Sequence, residues 1–366
     1  MIMHTVVRSI VAIALVAIAI GCAPEQSADA PAEQSTTREV VLYYSADDYV
    51  ARPVIDAFET ETGIQVRALG DTEATKTTGL VQRLRQEHTQ GTPRADVFWS
   101  SEVFMTALLA DEGVLAPVSI DALEGWPERW RDGDDRWFGF GIRGRVVVFN
   151  TNLIAESSAP EQLIDLLDPR FRDRVVIARP EFGTTRGHFA ALLNLWGESA
   201  YRQWLQDLKR NGVKLVDGNA AVVQAVATGE AIVGLTDTDD VYSGQRNDWP
   251  IAMKLAQHAF TSGASFSMID MTLAGPLLIP NTAARVAGGP NEAEALELIE
   301  FLLSPEVERI LAESDSHNTP VHPGVRASYP EYALPLTNIY DRFNSYADMA
   351  TDMNRAIQIA HEILTP

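Results

Sequence analysis

The order of segments predicts an α/β protein of two lobes, and three observations carry that expectation. The chain has 366 residues, more than one compact core organises well when domains average about 150 residues. At the start of the folded part, strand, helix and strand follow within about thirty residues, the βαβ unit from which parallel sheets are built. The alternation then begins again with new elements after Pro160. Hydrophobic residues make up 46% and charged residues 22%, which is globular rather than disordered or fibrous. The net charge of −21 repels phosphate backbones and argues against nucleic acid as a partner.

The first residues read as an export signal. His4 and Arg8 precede an apolar stretch, Ile10 to Ile20, too short to span a bilayer but suited to a signal-peptide core. It ends Ala19-Ile20-Gly21-Cys22, which resembles the lipobox of bacterial lipoproteins, with Cys22 as the residue to be acylated. The alternative is a plain secretory peptide with an incidental cysteine. Cys22 is the only cysteine, so no internal disulfide forms and the core must supply stability. Ala23 to Thr37, rich in Ala, Pro, Glu, Gln, Ser and Thr, has no apolar periodicity and reads as a flexible tether.

Val40 to Tyr44 is a strand-like apolar run that stops at Ser45-Ala46-Asp47-Asp48, a loop with helix-capping chemistry. Val54 to Glu61 reads as an amphipathic helix closed by Thr62-Gly63, and Ile64 to Leu69 alternates as a strand. Gly70-Asp71-Thr72-Glu73 forms the next loop, before a helix from about Thr77 to Glu87. Ala95 to Trp99 is a strand ending in Ser100-Ser101-Glu102, and a helix through Met105, Leu108 and Leu109 stops at Gly113. If these strands are parallel neighbours, Ser45, Asp47, Asp48, Asp71, Thr72, Glu73, Ser101 and Glu102 share one rim. For Asp71 and Glu73, helix capping is the competing reading.

Trp126, Trp130, Trp137 and Phe138 are expected to pack under a long connection. Gly139-Phe140-Gly141-Ile142-Arg143-Gly144 spells the dinucleotide fingerprint G-x-G-x-x-G. That fingerprint must follow a strand and open a helix, whereas this one leads into the strand Arg145 to Asn150, so nucleotide binding is rejected. Lys76-Thr77-Thr78 likewise lacks the glycines of a phosphate loop.

Beyond Pro160, Leu163 to Leu167 is helical and Arg174 to Ala178 is a strand. Gly183-Thr184-Thr185-Arg186-Gly187-His188 opens a long helix through Trp196, where Thr184 and Thr185 either hold an anion or cap the helix. A helix from Tyr201 to Asn211, a strand Lys214 to Val216 and a helix Ala220 to Thr228 precede the strand Ala231 to Leu235. The stretch Thr236-Asp237-Thr238-Asp239-Asp240-Val241-Tyr242 follows as an acidic loop. Open α/β sheets present ligand-binding groups at such strand ends, although an acidic surface turn has the same composition. Met253 to Ala256 reads as a strand, Ser262 to Met268 as loop, and Met271 to Pro280 as strand passing into loop. Asn291 to Leu303, Pro305 to Glu313 and a final Tyr346 to Leu364 are helical.

With these residues set out, the chain resembles the ferric-iron-type solute-binding proteins of ABC transporters. Val41-Leu42-Tyr43-Tyr44-Ser45, Ala57-Phe58-Glu59, Glu61-Thr62-Gly63-Ile64, Ala95-Asp96-Val97-Phe98, Gly113 to Pro117, Arg143-Gly144-Arg145-Val146, Asn150-Thr151 and Gly229-Glu230 carry the likeness in the family's order, from about Val40 to about Pro320. The resemblance implies a type 2 periplasmic-binding fold, two α/β lobes of mixed sheet flanked by helices, joined by hinge strands crossing near Val146 to Asn150 and near Met271 to Ala274. It divides the chain into a signal peptide at 1–21, a tether at 22–38, a first lobe at 39–145 plus 275–320, a second lobe at 146–274, and a C-terminal helical segment at 321–366.

The family's iron-binding members use two adjacent tyrosines after the strand equivalent to Ala231–Leu235, and those places hold Asp239 and Asp240 here. Carboxylates are also hard oxygen ligands for ferric ion or another hard cation. They suit an ammonium group on an organic solute equally well. The implied metal set is Asp239, Asp240, Glu102 and Tyr242, with Asp237 and the polar rim around them. Arg143 and the Thr184-Thr185 pair match the places that hold a synergistic carbonate or phosphate.

The implied function is the extracytoplasmic binding component of an importer, a monomer lipid-anchored to a bacterial membrane and working with ABC permease and ATPase subunits. Its cargo is Fe3+ or another hard cation, and no catalytic cofactor is expected. An organic solute carrying an ammonium and a phosphonate or carboxylate group is the second reading. An exported enzyme or a ligand sensor comes after that. Against an enzyme, the seven histidines lack zinc spacing and no G-x-S-x-G or catalytic cysteine occurs. His188, alone at a helix start, reads either as functional or as an ordinary surface or capping residue.

Overall fold

A computed structural model describes residues 38–71, 77–258, 275–336 and 345–365. The chain lays down β1 (Glu39–Tyr44), α1 (Asp48–Thr62), β2 (Gln65–Gly70), α2 (Thr78–Thr89), β3 (Val97–Ser100), α3 (Val103–Asp111), β4 (Leu115–Ala116) and β5 (Phe138–Asn150). It continues with β6 (Val175–Ala178), α4 (Gly183–Arg210), β7 (Lys214–Val216), α5 (Asn219–Ala227), β8 (Val233–Asp237), α6 (Thr238–Arg246) and β9 (Ile251–Leu255). The last elements are β10 (Leu278–Val286), α7 (Glu292–Leu302), α8 (Pro305–Glu313), α9 (Pro323–Arg326), α10 (Tyr346–Thr351) and α11 (Met353–Leu364).

The strands pair in the order β2-β1-β3-β10-β5-β8-β6-β7, with β4 beside β10 and β9 beside β5. β1 runs parallel to both β2 and β3, and β6 parallel to both β7 and β8, as the βαβ pattern requires. β10 is antiparallel to β3 and β5, and β5 antiparallel to β8 and β9. β5 is the element shared by the two halves of the sheet. Its first part, through Gly144, pairs with β10, and from Arg145 onward it pairs with β8. All thirteen of its residues are buried, which is why it reads as a near-continuous apolar run rather than an alternating one.

The glycine string lies entirely inside β5, so the rejected nucleotide fingerprint is strand. A Cβ on Gly141, whose φ is 51°, would lie 2.7 Å from the Leu311 side chain, so glycine lets α8 approach the sheet. The approach of α4 to α3 depends on Gly187 in the same way, since a Cβ there would sit 2.0 Å from the Phe104 ring.

Several boundaries differ from the sequence expectation for local reasons. α1 begins at Asp48 rather than Val54, carrying Pro53 inside it. The 183–210 element, by contrast, is two helical stretches meeting at Gly197, which takes non-helical angles, in line with the break expected between Trp196 and Tyr201. The acidic stretch is not a loop. Thr236 and Asp237 complete β8 against Val146 and Arg145, and Thr238 opens α6 with Asp239 and Asp240 in its first turn, where the helix dipole favours carboxylates. β10 starts only at Leu278 and runs through Pro280, which sits at a register irregularity where its missing N–H costs no ladder bond. The C-terminal helix is two, α10 and α11, separated at Asp352.

Trp126, Trp130 and Trp137 are buried beneath the connection from β4 to β5. α11 packs on α4, while α10 touches both α3 and α4. Tyr346 of α10 donates its hydroxyl to the Leu278 carbonyl at the start of β10 and stacks edge-on against Phe104 and Trp137. No described helix is long and apolar enough to cross a membrane. Cys22, the signal and tether segments, Thr72, Glu73, the 262–268 loop and the crossing expected at Met271–Ala274 lie outside the described residues.

Candidate functional site

The carboxyl end of β8 and the first turn of α6 bring Asp237, Asp239 and Asp240 together, with an oxygen of each within 4.8 Å of the others. The β5 arginines, two residues apart and therefore on the same face of the strand, each take one of these acids. Arg145 is fully buried, and its Nη1 donates to Asp237 Oδ1 at 2.7 Å and to Thr184 Oγ1 at 3.1 Å. Thr184 in turn donates to Asp237 Oδ2, and Asn219 Nδ2 donates to the same oxygen at 3.0 Å. Asp237 is therefore saturated by protein donors.

The second pair is less complete. Arg143 Nη1 donates to Asp239 Oδ2 at 2.9 Å, and Nη2 to the Ser101 carbonyl. Arg143 Nε and Asp239 Oδ1 are both buried without a partner among the described residues. Burial first, then the neighbouring Asp237 and Asp47, push the Asp239 carboxyl above its ordinary range against the pull of Arg143. Asp240 Oδ2 accepts from the Thr236 hydroxyl at 3.1 Å.

The other half of the sheet brings the ends of β1 and β3 to the same place. Ser45 Oγ accepts from the Ser101 N–H at 2.9 Å and meets Ser101 Oγ at 3.3 Å, under the carbonyl that holds Arg143. Asp47 is the N-cap residue of α1 and lies near enough to raise both Asp239 and Tyr49. Tyr49, in the first turn of α1, is a residue that sequence reasoning did not name and that lies near enough to the acids to feel their charge. Its phenol is raised by the protein around it and then by Asp239, Asp47 and Asp240, with Arg143 opposing. The residue keeps 49% of its surface exposed, so solvent screens these effects. The available signal was the string Asp47-Asp48-Tyr49 directly after the first strand.

Six expected site residues have other employment. Glu102 caps α3, accepting from the Phe104 N–H at 2.9 Å and the Met105 N–H at 3.2 Å, so both oxygens face its own helix rather than the acidic trio. Tyr242 does not reach the carboxylates either. Its ring stands edge-on to His317 and Tyr332 and lines a pocket with Thr238, Met253 and Leu334, because it and Asp240, two residues apart on α6, face away from each other. Thr184 and Thr185 are turned inward to Asp237 and Asn219 and neither caps α4, whose N-cap is Phe182. They offer no free hydroxyl pair to an anion. Asp48 accepts from the Tyr44 hydroxyl at 2.7 Å, and Asp71 from the Leu80 N–H at 3.3 Å at the start of α2.

Burial lifts the Glu102 carboxyl to about 7, opposed by Arg186 and the capping N–H groups. The folded protein therefore keeps a proton on Glu102 that the unfolded chain gives up near the ordinary glutamate value of 4.5. Stability from this group is present below that value and is lost as pH rises toward 7, by on the order of 3 kcal/mol. Glu102→Gln removes this dependence, so denaturation midpoints of mutant and wild type should diverge in the mutant's favour between acid and neutral pH. Parallel curves across that window would contradict the assignment.

Two sheet halves sharing one long strand, with strand ends and helix starts from both converging on paired acids and arginines, define a ligand-clamping protein of two lobes. Residues 92–345 match the family described as bacterial extracellular solute-binding protein, and the chain belongs to that family. It is similar to iron uptake protein A1 of Synechocystis sp., 27% identical over 339 residues, covering 90% of this chain and 89% of that protein. The major ferric iron-binding protein of Neisseria meningitidis is 26% identical over 297 residues, covering 80% of each chain. Among solved structures, iron-bound HitA from Pseudomonas aeruginosa superposes with a TM-score of 0.73 at 22% identity, covering 89% of this chain and 99% of that one, which shows the two-lobed fold. A family of extracellular solute-binding proteins places the mature chain outside the cytoplasm.

Proposed function

We propose that the chain is a non-enzymatic binding component of an importer, capturing ferric iron together with a small anion and delivering it to a permease. One observation carries the reading. A buried ion pair, Arg143 with Asp239, leaves one acid oxygen and one guanidinium N–H unused. A hard cation on Asp239 and an anion on Arg143 would satisfy both atoms at once. Asp240, Asp47 and the Tyr49 phenol supply further hard oxygen donors of the kind ferric iron prefers, and the relatives named for iron support that choice of metal. A zwitterionic organic solute, ammonium on the acids and phosphonate or carboxylate on Arg143, uses the same two atoms and is the second reading. We also assign 1–21 to an export signal, Cys22 to a lipid anchor, 39–145 plus 275–320 to the first lobe and 146–274 to the second.

The test is titration of the purified protein with Fe(III) supplied as its nitrilotriacetate complex, with mass analysis of whatever co-purifies. Phenolate bound to ferric iron gives a visible charge-transfer band, so the loaded protein should be coloured and Tyr49→Phe should bleach it while Tyr242→Phe leaves it unchanged. Saturable iron binding without colour would remove Tyr49 from the ligand set. No binding of iron, with an amino-phosphonate or amino-carboxylate found in the native protein, would favour the zwitterion.

A further inference from the structure

Behind the acidic trio lies a buried polar chain that the ligand site does not itself use. Arg145 Nε donates to His188 Nδ1 at 3.1 Å, His188 Nε2 meets His258 Nε2 at 2.7 Å, and His258 Nδ1 meets the Gly275 carbonyl at 3.0 Å. Both histidines are fully buried. The two ends of this chain are fixed by chemistry. A guanidinium N–H only donates, so His188 Nδ1 accepts and its proton is on Nε2. A carbonyl only accepts, so His258 carries its proton on Nδ1 and its Nε2 accepts from His188. Every bond then points the same way, and both rings must be neutral, since a second proton on either would set two N–H groups head to head. Their surroundings agree. Burial, then Arg145, then His258 hold His188 well below its ordinary range, and burial brings His258 down to about 4 against the pull of the Gly275 carbonyl. Trp196 Nε1, donating to the His258 carbonyl at 2.9 Å, holds that residue's backbone in place.

We propose that His188 and His258 are positioning residues for the ligand wall: a hydrogen-bond chain directed from Arg145 through both imidazoles to the Gly275 carbonyl sets Asp237 and Thr184, and with them the turn that presents Asp239 and Asp240. The chain runs between Gly275, just ahead of β10, and the last residue of β8. It therefore ties the ligand-bearing turn to the segment entering β10, the strand that pairs with β5 in the other half of the sheet. Outer partners of this kind act by orientation, and losing one typically weakens metal binding about 10–100-fold. The role of the chain in binding rests on the iron reading above, whereas the protonation pattern does not.

The experiment has two arms on the intact protein. Without any added metal at neutral pH, 15N imidazole resonances should show His188 as the neutral Nε2–H form and His258 as the neutral Nδ1–H form, with nitrogen–nitrogen coupling across their shared bond. In the same sample, His188→Leu should speed amide exchange at Asp239, Asp240 and Val241 relative to wild type without changing exchange in β1. In the second arm, Fe(III) nitrilotriacetate titration should show His188→Leu weakened about 10–100-fold, and His188→Gln, which can still accept and donate, close to wild type. The opposite tautomers, a charged ring, or native exchange in a folded His188→Leu overturns the proposal. Wild-type protein that fails to bind Fe(III) ends the iron reading instead, and the first arm alone then decides the chain.

Discussion

Replacing Asp239 and Asp240 together with alanine is expected to lower the affinity for Fe(III) nitrilotriacetate by about a thousandfold, since two lost charged contacts at roughly 2 kcal/mol each convert to that factor. Asp239 is the critical member. It has a buried oxygen without a partner and shares its other oxygen with Arg143, so its loss removes an acceptor and leaves the buried guanidinium without its ion-pair partner, holding the Ser101 carbonyl. Alanine therefore also costs stability. The isosteric pair Asp239→Asn with Asp240→Asn keeps the volume and a hydrogen bond to Arg143 while removing both charges, and it separates binding from folding. Calorimetric titration should show the asparagine variant as weak as the alanine variant at nearly the wild-type melting temperature. A folded asparagine variant with unchanged affinity would remove the acids from the site. Because Asp239 is raised, by burial first, protons compete for it at a higher pH than for an exposed aspartate, and wild-type affinity should fall as the solution is acidified.

Fold and site were legible in the sequence to different degrees. β2 and the helix Pro305–Glu313 follow from period-2 and period-3.6 patterns, and β1, which pairs on both sides, from its apolar run. Context made the glycine string in β5 readable as strand. Patterns failed where a tertiary partner decides. Pro280 looks like a strand terminator until its register irregularity is seen. The acidic stretch looks like a loop because helix propensity is poor for aspartate, yet Thr238 begins a helix whose start accommodates acids. Arg143 is marked by the resemblance, which implies an anion-holding arginine in the Arg-x-Arg-Val strand. Arg145 carries no signal of its own in the sequence, because its partners come from elements distant along the chain: Thr184, His188 and Asp237. Glu102 and Tyr242 were chosen for proximity in the chain, which says nothing about which way a side chain turns once α3 and α6 are placed.

The largest loss of stability is expected from Arg145→Ala. The Arg145–Asp237 pair is closed to solvent, with 0% and 1% of the side chains exposed, against 10% and 12% for Arg143–Asp239. Removing the guanidinium leaves a buried aspartate with only the Thr184 and Asn219 donors, and His188 Nδ1 with none, so breaking the pair should cost about 3–5 kcal/mol. The ionised state of Asp237 has no other cation in direct contact among the described residues. Urea denaturation should report the loss as a lower midpoint with an unchanged slope, because the surface exposed on unfolding stays the same. Combining Arg145→Met with Asp237→Leu tests whether the cost lies in the stranded charge or in lost packing. Apolar replacement of both partners of a buried pair is often close to neutral, so the double variant should recover much of the stability lost by Arg145→Ala. It would not recover iron binding, because the β8–α6 turn would lose the donors that orient it. A drop below about 1 kcal/mol for Arg145→Ala, the range of an exposed pair, would mean that Asp237 finds other compensation. The distinction between a closed, structural arginine and an open, ligand-facing one on the same strand would then fail.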